Sequence, residues 1–211
     1  NVFPDLPIQI IPNGVDLPRF TSDYARCPAE DVRILFVSRL IRRKGLQFLI
    51  DAIPQIARQA KMPFVIKIVG DGPDMDGFVR QADELGVSRY LRFVGYVHHD
   101  KLPEYYLDAD LFVLPSLAEG MANVVLEAIG SGLPVVATPV GGSEELIRQN
   151  ENGVIVPTKD VNALADALIR LINSRELREK MGKRSRQIAA HYSWEFVADA
   201  YAHFYERMKR S

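Results

Sequence analysis

The chain has 211 residues, of which 47% are hydrophobic and 25% charged, so it carries enough apolar side chain to form a substantial core and is not an intrinsically disordered chain. Lys and Arg (26) nearly balance Asp and Glu (27), which excludes a net positive field that would gather nucleic acid or anionic lipid. The single Cys27 excludes an internal disulfide and fits a reducing compartment. Any anion site must therefore be a local feature.

From about residue 31 onward, short runs rich in Val, Ile, Leu and Phe alternate with longer stretches of helical period. This alternation predicts an α/β fold with a doubly wound parallel sheet of about six strands. The predicted strands are 33–38, 64–70, 91–97, 111–115, 134–138 and 153–157. The predicted helices between them are 45–60, 73–85, 101–108, 122–130, 142–149 and 160–173.

The two ends of the sequence carry weaker signals. The stretch "IQIIPNGVD" (8–16) predicts a strand that ends in a Pro-Asn-Gly turn, and 174–211 predicts two helices separated near "HYSW", with Ser193 as the N-cap of the second. The sequence begins at Asn1 without an apolar leader, and no stretch approaches the roughly 18 consecutive apolar residues of a membrane span. We therefore expect a piece of a longer protein.

A basic cluster follows the first predicted strand, at Arg39, Arg42, Arg43 and Lys44. Ligands of open parallel sheets bind outside the carboxyl ends of the strands, near the point where strand order reverses. The cluster precedes a helix N-terminus, where acids rather than bases are favoured by roughly 0.3–1 kcal/mol per charge. A bound anion would explain it, although long basic side chains that extend into solvent remain an alternative.

Two acids, Glu119 and Glu127, flank the start of the helix predicted after the fourth strand. Glu119 would lie in the preceding loop, and Glu127 one to two turns into the helix with its side chain tilted back toward the same end. Both carboxylates could then face one pocket, and the backbone N–H groups of 120–123 would add anion donors. The alternative is a solvated Glu127, yet an acid in so apolar a helix needs a partner.

The second strand is followed by "VGDGP", in which Gly70 lets the backbone approach a ligand and Asp71 presents a carboxylate, although a simple turn explains it equally well. No metal site is predicted. The side chains of the adjacent His98 and His99 diverge, and the "DAD" acids Asp108 and Asp110 precede a buried strand, which favours a structural role.

A family resemblance covers nearly the whole chain. The sequence strongly resembles the C-terminal half of retaining glycosyltransferases of family 4, which have the GT-B fold of two Rossmann-like domains facing a cleft. The resemblance rests on seven motifs in the right order, "IPNGVD" (11–16), "FVSRLIRRKG" (36–45), "VGDGP" (69–73), "FVGYV" (93–97), "LPEYYLDADLFVLPS" (102–116), "EGMANVVLEAIGSGLPVVAT" (119–138) and "VGGSEELI" (140–147).

The resemblance implies roles for single residues. Arg39 and Lys44 match the basic pair that grips the diphosphate of a nucleotide sugar, Glu127 the acid that binds the ribose, and Glu119 the acid placed against the transferred sugar. Arg39, Lys44 and Glu119 are the expected catalytic residues. The same three residues are also expected to bind the donor, with Tyr96 and Val97 along the base. The other expected donor-binding residues are Gly70, Asp71, Gly120, Met121, Ala122, Asn123 and Glu127. No metal cofactor is expected, because the basic pair and the helix terminus neutralise the leaving diphosphate.

The resemblance also implies domain boundaries. Residues 1–17 would be an interdomain linker or the end of a missing N-terminal domain that holds the acceptor site, and none of the four histidines matches the catalytic histidine of that domain. Residues 18–192 would bind the donor. The last helix, in 193–211, would cross back toward the missing domain with an apolar stripe, or pack into this domain. That stripe comprises Trp194, Val197, Tyr201, Phe204 and Met208.

The implied function is donor binding in an enzyme that moves a sugar from a UDP- or GDP-sugar to an acceptor with its anomeric configuration kept, by front-face attack through an oxocarbenium-like transition state. The fragment alone should bind donor and transfer nothing. A GT-B nucleotide-sugar epimerase and a non-catalytic binding module are the alternatives. We expect no nucleic-acid partner, a cytoplasmic location or one at the inner face of a membrane, and membrane association only through the full-length enzyme.

Overall fold

The computed structural model describes residues 10–21, 30–120 and 123–210. A six-stranded sheet has the order β3-β2-β1-β4-β5-β6, and every neighbouring pair is parallel. This arrangement confirms the predicted doubly wound α/β class. The strands are β1 (Val32–Val37), β2 (Phe64–Val69), β3 (Leu91–Gly95), β4 (Leu111–Leu114), β5 (Val135–Ala137) and β6 (Gly153–Ile155).

The helices lie close to their predicted positions. They are α1 (Leu17–Phe20), α2 (Leu46–Gln59), α3 (Met75–Glu84), α4 (Leu102–Leu107), α5 (Asn123–Gly130), α6 (Ser143–Leu146), α7 (Val161–Ile172), α8 (Arg175–Ala189) and α9 (Trp194–Arg210). The prediction of a helix over 142–149 was too long. The Asn152 amide donates to Leu146 O (3.0 Å), and its Oδ1 accepts from Arg148 N (2.8 Å), so this side chain takes the backbone bonds that a further helical turn would need.

Burial explains why the strands could be located from sequence. All residues of β4 and β5 are buried, as are five of the six in β1, so these central strands appear as continuous apolar runs. The edge strand β3 instead alternates, with Arg92 and Val94 exposed. It ends at Gly95, two residues before the predicted end, where Gly95 has φ +85° and leaves the extended conformation.

An ion-pair network forms at the end of the sheet where β1 and β4 begin. Arg33 donates to Asp108 Oδ1 (2.5 Å) and to Asp110 Oδ2 (3.2 Å), and Lys67 also pairs with Asp108. The "DAD" acids thus connect three strands through opposite charges. The structural role favoured for them is confirmed.

The segments before β1 and after α8 lie side by side. Val15 forms a parallel bridge with Ser193, and Val15 N donates to Tyr192 O (2.8 Å). The strand predicted to precede the Pro-Asn-Gly turn is wrong for Ile10 and Ile11, which have no strand conformation, while residues 8 and 9 lie outside the described range. Ser193 Oγ accepts from Phe196 N (3.2 Å), which confirms the predicted N-cap.

Helix α9 extends from this junction with one buried side chain, Val197, among several exposed ones. Trp194, Tyr201, Tyr205 and Met208 are between 43% and 61% exposed and recur on one side of the helix. Within the described ranges, no helix combines the length and the apolar character that crossing a bilayer requires.

Candidate functional site

The site lies where the strand order reverses. Strand β1 continues along the chain into β2 and β3 on one side of the sheet, whereas β4, β5 and β6 extend on the other, so the carboxyl ends of β1 and β4 border the crevice in which such sheets bind ligands. The loops that follow these two strands are the basic loop 38–45 and the acidic loop 115–120.

The two loops pack backbone to backbone. Gly45 has φ +79°, and a Cβ built there would lie 1.8 Å from the carbonyl oxygen of Pro115. Leu117 N donates to Arg43 O over 2.8 Å. Only glycine fits such a close approach at a positive φ, and the approach brings the basic loop against the acidic one.

Lys44 and Glu119 form the central ion pair of the site. Lys44 Nζ lies 2.7 Å from both carboxylate oxygens of Glu119. Their side chains are only 18% and 7% exposed. The sequence predicted that both residues contact the ligand, and the structure brings them into contact with each other. The Glu119 carboxylate therefore occupies the position of an anion at Lys44.

Glu119 is anchored by residues that the sequence analysis did not single out. Ser116 is fully buried, its Oγ donates to Glu119 Oε1 (2.7 Å), and its carbonyl accepts from Thr138 Oγ1 (2.5 Å). Gly141 has φ +58°, and a Cβ there would lie 2.4 Å from Glu119 Cβ. The ends of β4 and β5 thus hold the carboxylate in one place. A Ser three residues before the acid and a Gly-Gly pair were the only sequence signals.

Glu127 has a different partner, the phenol of Tyr106. Tyr106 Oη donates to Glu127 Oε2 over 2.7 Å, and Glu127 is only 8% exposed. Burial raises the pKa of the Glu127 carboxyl, while the hydrogen bond from Tyr106 and the charges of His99 and Arg19 act to lower it. Burial, and then the charge of Glu127, raise the pKa of Tyr106 well above its ordinary value, so Tyr106 stays a neutral donor.

A cleft of about 380 Å³ opens at the carboxyl ends of β1 and β2. Five of the predicted donor-binding residues line it, namely Arg39, Gly70, Asp71, Tyr96 and Val97; Lys44, Glu119 and Glu127 are not part of its lining. A Cβ on Gly70 would lie 1.9 Å from Ser38 O, so main chain packs against main chain at the edge of the cleft.

Arg39 provides an unpaired charge. Its side chain is exposed, and it forms no hydrogen bond or ion pair with the residues that the structure describes. Of the predicted residues before and at the start of α5, Gly120 is a position where an added Cβ would meet no described atom within 4 Å, and Asn123 Oδ1 accepts from Asn13 Nδ2 (2.9 Å). Met121 and Ala122 lie outside the described residues.

Two grooves, of about 580 Å³ and 150 Å³, lie along α8. Arg184 lines both grooves and forms an ion pair with Glu151. Over 10–21, 30–120 and 123–210, no group of three or more His, Cys, Asp or Glu side chains is arranged to hold a metal ion. His98 Nδ1 lies 3.3 Å from Asp100 Oδ2 and accepts from Asp100 N over 3.4 Å.

Comparison with known proteins places this geometry in context. Residues 25–188 match the family model described as Glycosyl transferases group 1. A GDP-mannose-dependent alpha-(1-6)-phosphatidylinositol monomannoside mannosyltransferase of Mycobacterium tuberculosis is 32% identical over 217 residues, which cover 95% of this chain and 56% of that protein. The chain spans about half the length of the curated relatives it matches.

Solved structures have the same fold. Sucrose-phosphate synthase from Thermosynechococcus elongatus superposes with a TM-score of 0.84 at 30% identity, covering 96% of this chain and 53% of that one. Anabaena HepE in complex with UDP superposes with a TM-score of 0.85 at 24% identity, covering 94% of this chain and 57% of that one. At 24% identity, the second likeness is one of fold alone.

Proposed function

The chain belongs to the glycosyl transferases group 1 family, and from this premise we propose that it is the C-terminal, nucleotide-sugar-binding domain of a retaining glycosyltransferase of family 4. One observation carries the proposal. Lys44 meets Glu119 where the strand order reverses, and an unpaired Arg39 lies on the same loop. A paired cation beside a free one is suited to a ligand with a diphosphate next to a polar group.

The diphosphate is proposed to bind between Arg39 and Lys44. Arg39 has no described partner to give up, and Lys44 needs only to share its ammonium group between Glu119 and the incoming phosphate oxygens. Positive charge at this position stabilises the negative charge that develops on the leaving diphosphate. We propose that these two cations and the N-terminus of α5 take the place of a metal ion.

The remaining predicted residues are proposed to contact the nucleoside and the sugar. The base lies in the cleft lined by Tyr96 and Val97, with Gly70 and Asp71 beside it. Glu127 accepts hydrogen bonds from the ribose, and Glu119 orients the transferred sugar. The acceptor then attacks the anomeric carbon from the face that the diphosphate leaves, so that the anomeric configuration is kept.

The full-length enzyme is proposed to have an N-terminal domain with the acceptor site. In this arrangement, 1–17 is a linker or the end of that domain, 18–192 binds the donor, and the helix in 193–211 crosses back. Three residues of the apolar stripe, Trp194, Tyr201 and Met208, are exposed, as is Tyr205 on the same side of the helix. They support this assignment, because burying such side chains stabilises an interface. The greater length of the relatives supports it too.

The location of the enzyme is proposed to be cytoplasmic or at the inner face of a membrane reached through the full-length protein. The mycobacterial relative is named for a phosphatidylinositol monomannoside, and this name supports a location at the membrane. The isolated chain is proposed to bind donor but to transfer no sugar, and nucleic acid is not a proposed partner.

Calorimetric titration of the chain with UDP, GDP, ADP and their sugars tests the proposal. We expect weak binding to one base, reduced at least tenfold by Arg39→Ala and by Lys44→Ala, since each removes a charge-assisted contact to phosphate. Arg58→Ala, at an exposed arginine near the end of α2, is the matched control and should leave binding unchanged. Absence of binding across the panel, or full binding by both site variants, would contradict the proposal.

A further inference from the structure

The contact between Tyr106 and Glu127 joins a buried phenol to an acid at the candidate site. Tyr106 is fully buried and Glu127 is 8% exposed, and 2.7 Å separates Tyr106 Oη from Glu127 Oε2. Among the described residues, Tyr106 is the only hydrogen-bond partner of this carboxylate. One carboxylate oxygen is therefore held by the protein, and Oε1 is left for another donor.

The phenol is itself held in one orientation by aromatic neighbours. The Phe20 ring meets it edge to face, with centroids 5.5 Å apart at 79°, and the Phe112 ring lies 5.8 Å away at 34°. Tyr106 Oη is also 3.4 Å from Val124 O, one helical turn before Glu127. A ring packed on these sides cannot swing away, so the direction of its O–H group is fixed.

A fixed donor on Oε2 has a geometric consequence for Oε1. The terminal torsion of a glutamate side chain is broad, so an unbonded carboxylate samples many orientations. The Tyr106 hydrogen bond selects one of them before a ligand arrives. Acceptors that are oriented in advance bind their donors with less ordering cost than mobile ones.

We propose that Tyr106 is a positioning residue that orients Glu127 so that Oε1 accepts from the ribose hydroxyls of a ribonucleoside diphosphate. The site thereby distinguishes ribonucleotides from nucleotides that lack those hydroxyls. This inference rests on the proposed function, because it takes Glu127 as the group that meets the ribose. Tyr106 itself touches no substrate and acts through Glu127.

A purely structural role for Tyr106 would give a different result. If the phenol only satisfied a buried acid, its loss would weaken all nucleotides alike through a less stable fold. If it positions Glu127, its loss weakens ribonucleotides selectively. The ratio of two affinities therefore separates the two roles, since a general loss of folded protein cancels in it.

The experiment is calorimetric titration with UDP and GDP, each beside its 2′,3′-dideoxy form. The chain is used as wild type and as Tyr106→Phe, Glu127→Gln and the double variant. Tyr105→Phe, on the same helix, is the control, because the hydroxyl of Tyr105 bonds to no described residue. Circular dichroism selects samples with a wild-type fold. If Tyr106→Phe does not fold, Phe20→Leu replaces it, because that change keeps the hydroxyl and removes the ring contact that orients it.

The wild type should prefer the ribonucleotide by roughly tenfold or more, since a hydrogen bond to a charged acceptor is lost in the dideoxy form. Tyr106→Phe should lower that ratio at least threefold and change dideoxy binding less than twofold. It should change the ratio no further in the Glu127→Gln background, and Tyr105→Phe should bind like the wild type.

The results that would contradict the role of Tyr106 differ from those that would contradict the role of Glu127. An unchanged ratio in a folded Tyr106→Phe variant, or in Phe20→Leu where that is used, overturns the inference, and the proposed function stands as long as Glu127→Gln lowers the ratio. A wild type that binds both forms equally, or a Glu127→Gln variant with the wild-type ratio, overturns the role of Glu127 and the inference with it.

Discussion

Replacing Glu119 with glutamine should make the chain bind a nucleoside diphosphate more tightly. Both oxygens of the Glu119 carboxylate accept from Lys44 Nζ, so the carboxylate competes with any phosphate for this ammonium group. Glutamine keeps the shape, and its one amide oxygen can still accept from Ser116 and Lys44, but its NH2 group cannot accept from Lys44 and the side chain has no charge. The substitution therefore removes an anion from the site without opening a cavity.

The distances set the size of the effect. Lys44 Nζ lies 2.7 Å from the carboxylate oxygens, so a phosphate oxygen bonded to its opposite side would lie about 5.5 Å from them. Two unit charges at that separation repel by about 3 kcal/mol at an effective dielectric constant of about 20. Water and side-chain motion at the open side of the site reduce this to about 1–2 kcal/mol, or about 5–30-fold in affinity.

Titration calorimetry of UDP and GDP against the wild type and Glu119→Gln measures this change. Glu176→Gln, an exposed acid on α8, alters the net charge equally and should leave the affinity within twofold. The gain should be smaller for the nucleotide sugar, since the variant also loses the proposed contact of Glu119 with the sugar. Equal or weaker binding of the diphosphate by Glu119→Gln would refute the idea that the acid competes for Lys44.

Three further substitutions test the fold. Gly45→Ala should lower the free energy of unfolding, measured by urea titration, by more than about 3 kcal/mol, whereas Gly86→Ala should lower it by about 1–2 kcal/mol. Both glycines have a positive φ, but only at Gly45 would the added Cβ lie 1.8 Å from a carbonyl oxygen. Similar losses in the two variants would contradict the close approach. Arg33→Met should cost about 2 kcal/mol, because the part-buried Asp110 loses its ion pair although it keeps the hydrogen bond from the main-chain N of residue 33. Nucleotide affinity should stay unchanged, because the network lies at the opposite end of the sheet, and an equal loss of binding would be evidence against a purely structural role. Glu127→Gln should raise the melting temperature at neutral pH, because burial raises the pKa of this carboxyl and so penalises its charged form. That gain is full above the raised pKa and fades as the pH falls to the ordinary pKa of a glutamate, where both side chains are neutral; a gain that persists in acid would point to another cause.

The sequence located most of the scaffold because its signals are local. The central strands are apolar on both faces, so each is visible as a run of Val, Ile, Leu and Phe without knowledge of its neighbours. Helix α6 was overextended because its end depends on Asn152, whose side chain bonds back to Leu146 across a turn. Such a bond cannot be inferred from helical periodicity.

The candidate site shows the same limit. The position of the loops that carry Lys44 and Glu119 followed from strand boundaries and a general property of parallel sheets. Their direct contact did not, because it joins positions 75 residues apart and depends on the close approach at Gly45. Glu127 was expected to need a partner, and the partner is Tyr106, which the sequence analysis left unassigned. Identifying Tyr106 as the partner of Glu127 requires knowing how α4 packs against α5.

The bridge between Val15 and Ser193 bears on how this domain could be recombined with others. The chain enters and leaves at neighbouring points, whereas the proposed donor contacts all lie between positions 39 and 127. Junctions placed before Asn13 and after Ser193 would keep the bond from Asn13 to Asn123 and leave the cleft untouched. A chimera joined there would exchange the proposed acceptor domain and keep the proposed nucleotide contacts, so this junction suits the design of transferases that combine a new acceptor with the same donor.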